Sequence, residues 1–155
     1  MIALTVLILD QFVKHLIKSS MPVWSQTTVI DGFFNIVHVL NRGAAFGFLN
    51  TQAASWLPVF FIVVTGLAVL VIVSLLRGAR DKGPLYVFAL SSILGGALGN
   101  LTDRLRQGVV VDFLDFHIGR FHWPAFNIAD MAISIGAICL LITFYTKERH
   151  ASGSR

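Results

Sequence analysis

Positions 57–76, LPVFFIVVTGLAVLVIVSLL, carry no charged side chain and only Thr65 and Ser74 as polar ones. A helix of about 20 such residues crosses the roughly 30 Å hydrocarbon core of a bilayer, whereas a soluble fold has no place to bury it on every side. Pro58 sits at its start, where proline is tolerated because the first helical N–H has no partner. Three further stretches share this character. Met1 to about Ile17 is apolar apart from Thr5, Asp10, Gln11, Lys14 and His15, and Pro84 to about Arg104 and Asn127 to Thr146 are again long and apolar. Hydrophobic residues make up 55% of the chain and charged ones 13%, too few to cover a soluble surface, which takes about 25%. The expectation is an all-α integral membrane protein: one domain over 1–155 with a four-transmembrane-helix bundle at about 1–18, 57–76, 84–104 and 127–146.

The net charge of +4 does not indicate a nucleic-acid partner, because no basic stripe with interleaved aromatics is present. Basic residues instead report topology. The loop RGARDKG (77–83) and the tail KERHASGSR are dense in Lys and Arg, which puts that loop and both termini in the cytoplasm. A removable signal peptide fits poorly, since no basic residues precede the first apolar run and no small-x-small site follows it. Cys139 lies inside GAICLLITF and reads as a small core residue, and the five histidines show no metal-ligand spacing.

Residues 20–55 differ from the spans. Thr27–Ile30 and Phe33–Leu40 are rich in β-branched and aromatic residues, with Asp31-Gly32 between them as a hairpin turn. A small extramembrane β-sheet cradle and an interfacial segment are expected here, with Trp24 and Trp56 at headgroup depth. Gly95 and Gly99 have the GxxxG spacing of a close helix contact.

Acidic side chains concentrate where spans end. Of the eight in the chain, Asp103, Asp112, Asp115 and Asp130 fall between Gly99 and Asp130. Carboxylates at an apolar boundary are costly to ionise and point to function. Asp112 follows the strand-like Val109-Val110-Val111, and Asp130 lies in the first turn of the last span, so the two converge only through the fold. A close pair of carboxylates keeps one proton between them, which supplies a base to activate water and an acid to protonate a leaving amine. Asn127 and Asp130 equally fit a capping box at a helix start, and that reading stays open for Asp130. Asp10 and Lys14 are four apart with the acid first, which allows a salt bridge on one helix face. Asn100 and Arg104 also share a face; Arg104 could complement the helix C-terminus or hold a carbonyl or anionic group. Asp103 fits a local salt-bridge partner as well as a site residue, and Asp115 reads as solvated.

Five short blocks in order resemble the lipoprotein signal peptidases (signal peptidase II). Asp10-Gln11-Phe12-Val13-Lys14 is similar to DQxxK, and Asn41-Arg42-Gly43-Ala44-Ala45-Phe46-Gly47 to NxGAAF. Gly99-Asn100-Leu101-Thr102-Asp103-Arg104 resembles GNxxDR, Val110-Val111-Asp112-Phe113 resembles VVDF, and Phe126-Asn127-Ile128-Ala129-Asp130 resembles FNxAD. The resemblance implies a four-helix membrane bundle with an outer-face β-cradle, in the bacterial cytoplasmic (inner) membrane. It implies an aspartic endopeptidase that releases the signal peptide from diacylglyceryl-modified prolipoproteins, with Asp112 and Asp130 catalytic. Asp10, Lys14, Asn41, Gly43, Asn100, Arg104 and Asn127 carry over as supporting or substrate-binding positions. It further implies no metal or organic cofactor, membrane lipid as surroundings, globomycin as inhibitor, and a monomer. Two other classes fit parts of the chain. A proton-coupled transporter would use Asp10, Lys14, Asp112 and Asp130 as a relay, and a non-catalytic assembly protein would use the acids as caps and ion pairs.

Overall fold

A computed structural model describes residues 1–43 and 56–152. The elements in order are α1 (Ile2–Ser20), β1 (Gln26–Ile30), β2 (Phe34–Asn41), α2 (Leu57–Arg77), α3 (Pro84–Gln107), β3 (Val110–Ile118), β4 (Phe121–His122) and α4 (Ile128–Ser152). Among the described residues three helices are long and apolar enough to cross a membrane: α2, α3 and the Ile128–Thr146 part of α4. The helix α1 is of similar length but carries Asp10, Lys14 and Lys18.

The helices α1, α2 and α4 all pack on α3, and the residues of α3 explain why it holds the centre. A Cβ on Gly95 would meet the carbonyl oxygen of Ala3 at 2.6 Å, and one on Gly99 would meet Asp10 Oδ2 at 2.6 Å. The GxxxG pair therefore receives α1 at backbone distance. Its neighbour Gly96 receives α4, where an added Cβ would meet Ile133 Cγ1 at 2.8 Å. Apolar side chains turned away from α3, such as Val63, Leu67 and Leu70 on α2 and Ile138 and Leu141 on α4, are exposed. That inside-out pattern suits a lipid-facing bundle and would be an aggregation hazard in water.

The four strands form one antiparallel sheet in the order β1-β2-β3-β4. The expected hairpin is present, with Thr28 opposite Asn35 on either side of the Asp31-Gly32 turn. The expected limits of the cradle, 20–55, need correcting, because β3 and β4 contribute residues 110–122 to the same sheet. Asp112 accordingly lies within β3, opposite Val39, and not after a strand. The alternation that would mark β3 is missing because most of it is buried from Val110 to Asp115. Of the NxGAAF-like block, Ala44–Gly47 lie outside the described residues, as does the interfacial segment 44–55. Beyond β4, Phe126 pairs with Leu114 through bonds of 2.9 and 3.1 Å. That clip ties the start of α4 to the middle of β3.

Candidate active site

Asp112 comes from β3 and Asp130 from the first turn of α4, and three asparagines connect them. Asn41, the last residue of β2, donates Nδ2 to Asp112 Oδ2 at 2.9 Å. Asn127, just before α4, donates Nδ2 to Asp112 Oδ1 at 2.7 Å. Asn100 on α3 donates Nδ2 to Asp130 Oδ1 at 2.7 Å. In each asparagine the amide oxygen is held by a separate donor, so its NH2 end is the one turned to an aspartate. Asn41 Oδ1 accepts from Gly43 N at 2.7 Å, Asn127 Oδ1 from Asp130 N at 3.0 Å, and Asn100 Oδ1 from Lys14 Nζ at 3.0 Å. Gly43 reaches that position with φ +97°, and a side chain there would also run into the ring of Phe61 on α2.

Asn127 also closes a capping box, because its own N–H donates to Asp130 Oδ2 at 3.2 Å. The cap expected for this pair is thus present, and its asparagine also reaches Asp112. Its Nδ2 further lies 3.2 Å from Asn100 Oδ1, which completes a chain Asp112–Asn127–Asn100–Asp130. Asp112 is buried to 1% exposure while Asp130 is half-buried. Burial pushes the Asp112 carboxyl up from the ordinary 3.8 to about 7, against the lowering hydrogen bonds from Asn41 and Asn127, and the charge of Asp130 adds to the rise.

Behind the aspartates lies a buried ion cluster. Lys14 Nζ contacts Asp10 Oδ2 at 2.9 Å and Asp103 Oδ2 at 3.0 Å, with all three side chains at or below 1% exposure. The Asp10–Lys14 pairing expected from spacing is present. Asp103, expected as a local partner, instead reaches across to α1. Breaking one arm of such a pair costs about 3–5 kcal/mol, because the remaining charge stays buried. Gln11 completes the cluster by placing Nε2 3.1 Å from Asp103 Oδ1 and 3.2 Å from the Gly99 carbonyl. Reading the sequence missed Gln11, although it sits inside a motif block, and left Asp103 with a local partner; the two are 92 residues apart along the chain.

Arg104 is half-buried, 3.5 Å from the Asn100 carbonyl through Nη1, and stacks over the Phe61 ring at 5.1 Å. Its charge interacts with Asp130 and Asp112. Asp115 corrects the expectation of a solvated group. It is buried, accepts from Asn35 Nδ2 at 2.9 Å and pairs with His122 Nδ1 at 2.9 Å. Burial works upward on this carboxyl, but the bonds from Asn35 and His122 outweigh it and hold Asp115 below its usual range. An odd separation along β3 from Asp112 puts the two acids on opposite sides of the strand.

A family model described as signal peptidase (SPase) II matches residues 2–146. The chain belongs to the signal peptidase II family. It is 48% identical over 147 residues to the lipoprotein signal peptidase of Maridesulfovibrio salexigens, covering 95% of this chain and 94% of that one. Against the lipoprotein signal peptidase of Cupriavidus taiwanensis it is 51% identical over 144 residues, covering 90% and 78%. The fold resembles a bacterial membrane enzyme solved by the in meso method at 2.3 Å resolution, with TM-score 0.80, 35% identity and coverage of 95% and 87%. A second such structure, at 1.9 Å resolution, gives TM-score 0.77 at 36% identity, covering 92% and 89%. Signal peptidase II is a family of peptidases, so the reaction to be explained is hydrolysis of a peptide bond by a multi-pass membrane protein.

Proposed function

We propose that this chain is an aspartic endopeptidase of the bacterial inner membrane that removes the signal peptide from diacylglyceryl-modified prolipoproteins. Cleavage falls before the lipidated cysteine, and Asp112 and Asp130 are the catalytic pair. The observation that carries the reading is Asn127, one side chain that donates to Asp112 and caps the helix turn bearing Asp130. The two carboxyls share one proton, and burial favours the protonated form of Asp112, so Asp112 is assigned as the acid and Asp130 as the base. Water adds to the scissile carbonyl as one of its protons passes to Asp130. The C–N bond then breaks as Asp112 gives its proton to the departing amine. Arg104 and the second amide hydrogens of Asn41 and Asn100 supply the donors that orient the substrate and balance charge on the tetrahedral oxygen.

A substrate with two acyl chains stays in the bilayer, so the reactive groups must stand at the lipid boundary. The pair, on the strand that follows α3 and in the first turn of α4, suits that demand, with α1 as a fourth span whose Asp10 and Lys14 are turned inward and not into lipid and whose Lys18 lies in its last turn. The termini and the 77–83 loop are assigned to the cytoplasm and the site to the outer face. Globomycin is the expected inhibitor, and the protein acts as a monomer. Incubating the purified chain with a diacylglyceryl-modified precursor should release the signal peptide, with release abolished by globomycin. The same precursor without its lipid should remain uncut; equal cleavage of both forms would overturn the substrate assignment.

A further inference from the structure

Among the described residues the carboxylates of the buried ion cluster accept two backbone N–H groups, and both are one residue ahead of a proposed catalytic aspartate. Asp10 Oδ1 accepts the N–H of Ala129 at 3.0 Å, immediately before Asp130. Asp103 Oδ2 accepts the N–H of Val111 at 3.2 Å, immediately before Asp112. Lys14 holds these two carboxylates together, and Gln11 Nε2 spans them a second time, at 3.3 Å from Asp10 Oδ2 and 3.1 Å from Asp103 Oδ1. Resting on the reading of Asp112 and Asp130 as the catalytic pair, we propose that Asp10 and Asp103, cross-braced by Lys14 and Gln11, are positioning residues that set the separation of the two catalytic carboxylates through the backbone amides ahead of them.

Four observations support this role over simple charge neutralisation. One lysine faces two carboxylates, so the cluster is not neutral with both ionised, and N–H donors make up the difference. Every one of the four carboxylate oxygens has a partner, and two of those partners are the amides in question. Ala129 is in the first turn of α4, where an N–H lacks an intrahelical acceptor and needs one from outside. A carboxylate on another helix supplies it, which fixes where α4 begins relative to α1. On the other arm, Asp103 belongs to α3 and Val111 to the strand that follows, so this bond sets how β3 leaves the helix end. The clamp therefore fixes both elements that carry the pair to α1 and α3, at points where a shift of an ångström would pass directly to Asp112 or Asp130.

The test compares turnover of a diacylglyceryl-modified precursor by the full-length wild type, Gln11→Met, Asp103→Asn and Asp112→Asn, with rates expressed per folded molecule. Gln11→Met keeps side-chain length and leaves every charge paired, so it carries the test even if Asp103→Asn fails to fold. A misplacement near 1 Å lowers turnover by up to about 100-fold. The expected result is a kcat at least about ten-fold lower in Gln11→Met with KM within about two-fold of wild type. Faster hydrogen exchange at the Ala129 and Val111 amides should accompany it, with the rest of α4 and β3 unchanged. Wild-type kcat per folded molecule in Gln11→Met, with Asp112→Asn inactive, would overturn the clamp and leave the catalytic pair standing. Cleavage by Asp112→Asn would overturn the pair itself, and the clamp with it.

Discussion

At the scale of single residues the site depends on how three asparagine amides are oriented. Each has its oxygen occupied, by Gly43 N, Asp130 N or Lys14 Nζ, so each presents hydrogens to an aspartate. An ionised Asp112 would gain from those donors, yet burial at 1% exposure dominates and raises the group to about 7. The sign of the pH dependence follows. A carboxyl raised in the folded state binds more protons there than in the unfolded chain between about 4 and 7. Its contribution to stability is therefore full below about 4 and is lost as pH rises through about 7. In the proposed reaction the same proton is needed, since Asp112 holds it to protonate the leaving amine. The kcat/KM profile for the lipidated precursor should fall above pH about 7; a profile flat to pH 9 would remove Asp112 as the acid. Asp115 has the opposite sign. Held below its usual range by Asn35 and His122, it stabilises the sheet above about pH 4, an effect lost as pH drops through its lowered value.

At the scale of elements, α3 is the support, and its glycines set how close α1 and α4 come. A Cβ at Gly99 would sit 2.6 Å from Asp10 Oδ2 and 3.2 Å from its Cγ. Gly99→Ala should therefore cost about 1–3 kcal/mol and also slow cleavage, because the displaced carboxylate is the one holding Ala129. Gly66 on α2 has nothing within 4 Å of a built Cβ, and Gly66→Ala should be neutral or stabilising by up to about 1 kcal/mol. Thermal unfolding of both variants in detergent, read beside their turnover, checks the contrast; equal behaviour would mean that α1 does not dock where described. Much at this scale was legible in the sequence. The apolar runs located α2, α3 and α4, the Asp31-Gly32 turn located the first hairpin, and Asn127 with Asp130 marked the start of α4. Illegible were the features made by distant partners. The strand β3 is covered and so lacks alternation, Asp115 finds Asn35 and His122 only through the sheet, and Asp103 finds Lys14 only once α1 docks on α3.

For the whole molecule the dominant fact is an apolar exterior around a polar, buried boundary layer. Side chains such as Leu67, Leu70 and Leu141 are exposed while Lys14, Asp10, Asp103, Asp112 and Asn127 are among the most buried. That reversal suits a molecule with lipid outside it. The assigned topology places the 77–83 loop in the cytoplasm and the β1–β2 hairpin on the outer face, separated by α2. In a Cys139→Ala background, Lys82→Cys should react with a membrane-impermeant thiol reagent only from the cytoplasmic side, and Thr28→Cys only from the outer side. Labelling of both from one side would contradict the arrangement. The central claim is that Asp112 and Asp130 act together on one peptide bond, and the most direct measurement is cleavage of a diacylglyceryl-modified precursor by Asp112→Asn and by Asp130→Asn, each inserted in membranes at wild-type level. Loss of signal-peptide release in both variants is the predicted result, and full processing by either one would contradict the account.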